Sequence, residues 1–395
     1  MTIVSITDAV HLSGKLAPEE LAAAAQSGTY KSWLYLNPQA TADADGVGAA
    51  LDAAGLALSV VEVDKDKLTE ELAERVVAAL DAAPKPCMIQ CATATRAGAV
   101  LLLSLAKKHG LNFAAAMQLA LDMDLNFAQG YVLGGGEDAP PPNPLVSWVE
   151  AALRGNEIRS ASEDLLIWQL FDDAGSSTFT YILADAKTKD AILIDPVLEQ
   201  VDRDLAAIDA AGLTLRYAVN THAHADHITG SGLIKAQRSG VESVIAASSG
   251  AVADVKLADG DSISFGSQRL VAISTPGHTE GCLSYYHADA AIVFTGDALL
   301  IRGCGRTDFQ GGSSATLFQS VREKLFTLPA ETTVAPAHDY KGRNASAIGH
   351  EVRYNSRLGD SMKSAEDFAA LMDSLGLPYP KKLDIAVPAN MKCGV

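Results

Sequence analysis

Four side chains that can bind a metal crowd six consecutive positions of this 395-residue chain: His222, His224, Asp226 and His227, in the run Thr221-His222-Ala223-His224-Ala225-Asp226-His227. The chain has only nine histidines, so this cluster is hard to read as scattered surface or core histidines. Imidazole together with carboxylate suits zinc or iron. Three further ligand types follow short apolar runs: His278 in Ser274-Thr275-Pro276-Gly277-His278-Thr279, Asp297 in Phe294-Thr295-Gly296-Asp297, and His338 in Ala335-Pro336-Ala337-His338-Asp339-Tyr340. Each apolar run reads as a strand, and each ligand sits in the turn-rich loop after it, where a rigid sheet carries a site. Gly277 and Gly296 allow the sharp backbone turns that aim His278 and Asp297 inward.

A second constellation lies near the N-terminus, in Ile89-Gln90-Cys91-Ala92-Thr93-Ala94-Thr95-Arg96. It places a cysteine after a buried strand and an arginine five positions later at a helix start. Backbone N–H groups and the helix dipole stabilise an anion there and lower a thiol pKa. That chemistry serves a sulfur-transfer or phosphate-transfer nucleophile. A buried cysteine in an inert helper domain is the equal alternative. Cys87 reads as core, and Cys304 as structural or modifiable rather than nucleophilic.

The surrounding elements follow from periodicity. Residues 1–130 alternate helix and strand: helix from 18, strand 31–36, helix 45–54, buried strand 56–63, amphipathic helix 68–82, strand 86–90 and helix 95–109 stopped by Gly110. This is an α/β layer. The segment Gly134-Gly135-Gly136-Glu137-Asp138-Ala139-Pro140-Pro141-Pro142-Asn143-Pro144 reads as an extended connector. The expected division is 1–132, a linker over 133–157, and 158–395. Beyond the linker come a hairpin over 178–194, a helix over 198–211, and strands at 215–219, 243–247, 262–265, 269–274, 283–287, 291–295 and 333–336, with a helix over 315–326. Strand-rich layers with outer helices predict an αββα sandwich.

Composition narrows the function. The net charge is −17, which makes the chain a poor candidate for sequence-independent binding to nucleic acid or to anionic membranes. Five cysteines, an odd and sparse number, suggest no disulfide framework and fit a reducing compartment. The start MTIVSITDAV carries no signal or transit pattern, and no membrane-spanning run is evident. Cytoplasm is the expected location, or an organelle if a targeting segment is missing. An anionic substrate would need a local basic cluster. Arg302 and Arg306 follow Asp297, and Lys341 and Arg343 follow His338.

The ligand spacing resembles the metallo-β-lactamase superfamily, whose members can hold two metals with seven ligands; all seven types are present here. A closer resemblance is to the persulfide dioxygenases. It runs nearly unbroken over 178–358 and includes Ile194-Asp195-Pro196-Val197, the segment 221–230, Thr275-Pro276-Gly277-His278-Thr279-Glu280-Gly281-Cys282, and Thr295-Gly296-Asp297-Ala298-Leu299-Leu300-Ile301-Arg302-Gly303-Cys304-Gly305-Arg306-Thr307-Asp308-Phe309-Gln310. Glyoxalase II enzymes share the His-rich loop but not the Arg-Thr-Asp-Phe-Gln run. The resemblance implies one Fe(II) per subunit held by His222, His278 and Asp297, a facial triad with open positions. It implies glutathione persulfide and O2 as substrates, with sulfite and glutathione as products. His224, Asp226, His227 and His338 would then orient ligands and water, or hold a second metal. Arg306 is implied to bind a glutathione carboxylate, with Tyr340 beside it; bracing against Asp308 or Asp339 is the alternative for Arg306. Residues 1–110 resemble the rhodanese-like and phosphatase-like sulfur-transfer domains of bacterial β-lactamase-hydrolase-like proteins, with Cys91 and Arg96 as the candidate sulfur-transfer pair. The Ala-Thr-Ala-Thr segment departs from the usual glycine-containing loop. The competing readings are a dinuclear thioester hydrolase of the glyoxalase II type and a non-catalytic sulfide-responsive binding protein. Assembly as a homodimer is left open.

Overall fold

The computed structural model describes residues 4–7, 9–129, 144–153, 162–172 and 175–395. It divides into two compact units, Met1–Asn156 and Glu157–Val395.

In the first unit, strands β1 (Val4–Thr7), β2 (Val10–Ser13), β3 (Ser32–Tyr35), β4 (Ala57–Val60) and β5 (Cys87–Gln90) form one sheet in the order β1-β2-β5-β3-β4. All neighbours are parallel except β1 and β2. Parallel neighbours need crossovers, which helices α1 (Pro18–Gln26), α2 (Gln39–Ala44), α3 (Val47–Ala53), α4 (Glu70–Ala82), α5 (Thr95–His109) and α6 (Phe113–Asp122) supply or extend. The strand expected over 56–63 shortens to β4. It lies at the sheet edge with alternately exposed side chains, so it is half-solvated rather than buried. The helix expected over 45–54 breaks at Gly46, whose φ of 68° belongs to the left-handed region. Helix α5 has the expected span and ends on Gly110 at φ 60°.

The stretch expected as linker is only partly so described: residues 133–143 and 154–157 lie outside the described residues. Between them α7 (Pro144–Ala152) is a helix of the first unit. Proline suits its first turn, and its apolar residues Leu145, Val146, Trp148 and Val149 are buried. The Trp148 indole donates to Thr69 O at 2.8 Å. The prolines upstream mask a helical apolar pattern that needs a partner surface.

In the second unit, β6 (Leu165–Phe171), β7 (Phe179–Asp185), β8 (Asp190–Ile194), β9 (Thr214–Val219), β10 (Glu242–Ala246) and β11 (Val255–Leu257) form a sheet in the order β11-β10-β9-β8-β7-β6. The remaining strands, β12 (Ser262–Phe265), β13 (Gln268–Ser274), β14 (Leu283–His287), β15 (Ile292–Gly296), β16 (Thr333–Pro336) and β17 (Ser346–Ala347), form a second sheet in sequence order. The β7–β8 hairpin closes at Asp185, whose Oδ1 accepts from Lys187 N and Thr188 N, both at 2.8 Å. The sheets meet face to face: the Tyr181 ring on β7 lies 4.9 Å from that of Phe294 on β15.

Helix α8 (Val201–Ala210), after a 3-10 turn at Leu198–Gln200, covers the outer face of the first sheet with Val201, Leu205 and Ile208. Helix α9 (Ser231–Gln237) adds Ile234. On the second sheet, α10 (Ser314–Ser320) runs into a π-helical turn at Val321–Leu325, and α12 (Ala365–Ser374) adds Phe368 and Met372. Helices α11 (Ile348–Tyr354) and α13 (Leu383–Asn390) complete the unit. This is the αββα sandwich the sequence predicts. No helix among the described residues is long and apolar enough to cross a membrane.

Candidate metal centre

Four strand ends supply the site. β9 opens the His222–His227 loop, β13 leads to His278, β15 to Asp297 and β16 to His338. Two glycines make the turns possible. Gly277 has φ 129° and packs so tightly that a Cβ would lie 2.3 Å from Leu317 N; Gly296 has φ 52°, and a Cβ there would lie 2.7 Å from Thr221 Oγ1. A side chain at Gly277 would push the His278 loop off Leu317, and one at Gly296 would push the Asp297 turn off Thr221.

Asp195, just beyond β8, holds the start of the His-rich loop. Its Oδ1 accepts from Thr221 N at 2.7 Å and from His224 Nε2 at 3.0 Å, and its Oδ2 accepts from the Thr221 hydroxyl at 2.9 Å. Asp195 itself sits at φ 52°, a conformation that costs about 1–3 kcal/mol and persists where surroundings over-determine it.

The donor atoms of His222, His278 and Asp297 lie within 4.8 Å of one another, and so do those of His224, Asp226 and His338. The first set fits a cation well. His222 Nδ1 pairs with Thr221 Oγ1 at 3.0 Å, which leaves its Nε2 buried and without a hydrogen-bond partner. His278 Nδ1 donates to Arg306 O at 2.6 Å, which fixes the tautomer and turns the Nε2 lone pair toward Asp297 Oδ2, 3.6 Å away. Asp297 Oδ1 is also buried without a hydrogen-bond partner. Lone pairs gathered this way are costly unless a cation joins them. Burial, reinforced by neighbouring His224 and His278, holds His222 well below the ordinary histidine pKa, in the neutral form that ligates.

The second set is more mutually committed. His224 Nε2 belongs to Asp195, while its Nδ1, 3.9 Å from Asp226 Oδ1, has no hydrogen-bond partner. His227 Nδ1 donates to Asp226 Oδ2 at 2.8 Å, and Thr178 Oγ1 donates to the same carboxylate at 3.2 Å. His338 Nε2 stands 3.6 Å from both Asp226 Oδ2 and Asp297 Oδ1. Burial works against its charge, but the two carboxylates prevail and raise its pKa to about 10. A metal at Asp297 would take over that charge balance.

Three of the four basic residues near the ligands, Arg302, Arg306 and Arg343, are paired within the fold. The Arg306 guanidinium forks onto Asp308, at 2.6 and 2.7 Å, donates to Pro378 O, and stacks over Phe309 at 4.6 Å. These pairings are the ones the bracing alternative expects, and the Arg306 carbonyl accepts from His278 Nδ1. Arg302 pairs with buried Glu351, and Arg343 forks onto Asp339. Lys341 and Tyr340 remain exposed, the Tyr340 ring lying parallel to His338 at 6.0 Å. Cys304 is buried and its thiol is pushed up to about 11, as suits a structural residue.

In the first unit, Cys91 follows β5 as expected but is fully buried, its backbone N donating to Ser13 O at 3.1 Å. Arg96 is committed to Val63 O at 2.7 Å and Asn37 Oδ1 at 2.5 Å. A 540 Å³ cavity adjoins this loop, lined by Val63, Lys65, Thr93, Thr95, Arg96 and Leu145 among others; Cys91 does not line it. Ala94 takes a left-handed φ of 65° where a glycine would be easier.

Sequence reasoning missed Asp195, Thr178 and Gln310 as site residues. Gln310 Nε2 donates to Ala223 O at 2.8 Å. Asp195 carried a signal, a carboxylate at a strand end before proline, and Gln310 closes the Arg-Thr-Asp-Phe-Gln run; Thr178 carried none.

Residues 174–338 match the model of the Metallo-beta-lactamase superfamily. The mitochondrial persulfide dioxygenase ETHE1 of Homo sapiens is 52% identical over 231 residues, which covers 58% of this chain and 89% of that protein. A crystal structure of ETHE1 from Myxococcus xanthus matches with a TM-score of 0.56 at 48% identity, covering 58% of this chain and 100% of that one. The Beta-lactamase hydrolase-like protein of Xylella fastidiosa (strain 9a5c) is 28% identical across 100% of this chain and 94% of that protein. The similarity to ETHE1 at this level, over nearly all of that protein's length, identifies the chain as a member of the persulfide dioxygenase family within the metallo-β-lactamase superfamily.

Proposed function

We propose that the second unit is an iron-dependent persulfide dioxygenase acting on glutathione persulfide. One observation carries the reading: the unpartnered donors of His222 and Asp297 converge with His278 Nε2 in one buried volume. Two imidazoles and a carboxylate on one side of an ion suit ferrous iron in oxygenases. When bound there, ferrous iron supplies O2 activation and open positions for the persulfide sulfur. The balance is glutathione persulfide plus O2 and water giving glutathione, sulfite and two protons; the outer sulfur loses four electrons to O2.

The protein's own residues prepare this step. Thr221 and Arg306 O hold the Nδ1 sides of His222 and His278, so both rings present Nε2 inward. His338 spans Asp226 and Asp297 and keeps both carboxylates aligned as charge changes between them. Asp226, fixed by His227 and Thr178 and held in the carboxylate form by the neighbouring imidazoles, steadies His338 beside Asp297. Exposed Tyr340 and Lys341 offer a hydroxyl and a cation to the tripeptide, with Arg306 the candidate for its carboxylate if the fork exchanges Asp308 for substrate.

The test is metal identity and stoichiometry on protein purified without air, followed by O2 uptake with glutathione persulfide. One iron per chain and O2 consumption matching sulfite formation are expected. Two zinc ions per chain, with thioester cleavage and no O2 uptake, would overturn the reading.

A further inference from the structure

The His222–His227 loop has no helix or strand of its own, so its backbone carbonyls need partners from elsewhere. Thr221 O accepts from Leu283 N at 2.8 Å, and Ala223 O from Gln310 Nε2 at 2.8 Å. The next two converge on a single distant side chain. Asn390 Nδ2 donates to His224 O at 2.8 Å and to His227 O at 2.9 Å. The Oδ1 of the same amide accepts from Thr229 N at 2.8 Å. Asn390 is the last residue of α13 and is 3% exposed.

The segment after it presses on the same loop. A Cβ on Gly394, at φ 82°, would lie 2.2 Å from Thr229 O, and one on Gly232 would lie 2.6 Å from Cys393 O. Within the loop, the two carbonyls that Asn390 holds flank Asp226. The His224 ring packs on that of His222 with centroids 4.0 Å apart, and Asp226 faces His338, which faces Asp297. His222 therefore packs on a residue whose carbonyl Asn390 holds, and Asp297 is reached through His338 from Asp226, which lies between the two held carbonyls.

We propose that Asn390 is a positioning residue for the metal centre, its amide clamping the His-rich loop at the spacing the ion requires. This rests on the ligand assignment made above. The residue type matters, because an amide offers two donors and an acceptor from one short stem. An aspartate would keep the acceptor but turn an oxygen toward two carbonyl oxygens. The Asn390 amide pairs with the loop backbone and not with a candidate ligand atom, so its effect passes through the loop.

The experiment compares the full-length wild type with Asn390→Asp, Asn390→Ala and Gly394→Ala. A core truncation on α8, Leu205→Ala, serves as a stability control. Fe(II) affinity is measured by competition with a chelator under anaerobic conditions, and Co(II) absorption reports ligand geometry. Substituting groups that orient metal ligands typically weakens binding 10–100-fold. The clamp predicts at least a tenfold loss and altered Co(II) bands for both Asn390 variants, with affinity unchanged in Leu205→Ala despite its lower melting temperature. Wild-type affinity and bands in folded Asn390 variants would overturn it, as would an equal loss in Leu205→Ala. If neither Asn390 variant folds, Gly394→Ala decides: a similar loss supports the clamp and wild-type binding refutes it. A wild type that binds iron but consumes no O2 with persulfide would sink the functional reading, while the affinities would still judge Asn390.

Discussion

The His222–His227 loop and the Cys91–Arg96 loop both follow a buried strand and both carry residue types suited to chemistry, yet the fold treats them in opposite ways. In the first, backbone groups are tied down from outside while ring nitrogens are left without hydrogen bonds, His222 Nε2, His224 Nδ1 and His227 Nε2, as is Asp297 Oδ1 facing them. In the second, Arg96 is spent on Val63 O and Asn37, and the thiol is covered. Reactive groups held rigidly and left unsatisfied point to a ligand; the same groups satisfied internally point to structure.

The strongest way to break this contrast is Asp297→Ala. It removes the carboxylate that faces both His278 and His338. Iron binding and dioxygenation should fall to background while the fold persists. The partner experiment, His278→Ala, should do the same. Iron retained by either variant, measured by elemental analysis, would show that the ligands lie elsewhere.

Arg306 offers the next largest effect. If its side chain is a brace, Arg306→Ala and Asp308→Ala should lower stability alike, by about 1 kcal/mol or less given the partial exposure of the pair. Both should leave KM for glutathione persulfide within about twofold. Steady-state kinetics distinguishes this from carboxylate binding. In that case Arg306→Ala alone raises KM with little change in kcat, because uniform binding is lost.

These two residues also show what the sequence could and could not convey. Ligand types and spacing survive as a linear signal, because each ligand sits directly after a strand whose apolar run marks it. The sandwich was legible for the same reason. The full pairing of Arg306 was not, since Pro378 O is brought in only by the fold, while Asp308 was a legible alternative to a substrate carboxylate. Nor was Asn390, which meets the loop only after the chain has built both sheets. Helix α7 was hidden by prolines, and β4 was over-read because its apolar residues sit on a half-exposed edge. Local pattern reports what a residue can do; long-range pairing decides whether it is free to do it.

The smallest effects test the Cys91 side of the contrast. Burial pushes the thiols of Cys282 and Cys304 up to about 12 and about 11. Both pKa values are raised, so each group stays neutral at pH 8 and begins to ionise only toward the top of the alkaline range. Since the thiolate is the reacting form, iodoacetamide at pH 8 should spare both in the folded protein, and burial should spare Cys91 too. Half-exposed Cys393 should be alkylated first, as peptide mass spectrometry would show. Cys91→Ser should leave O2 uptake with glutathione persulfide unchanged within error, because the candidate metal ligands all belong to the second unit. Rapid alkylation of native Cys91, together with thiosulfate-to-thiol sulfur transfer that vanishes in Cys91→Ser, would mean that this loop opens and works as a sulfur carrier, and that burial in the resting fold is a poor guide to its chemistry.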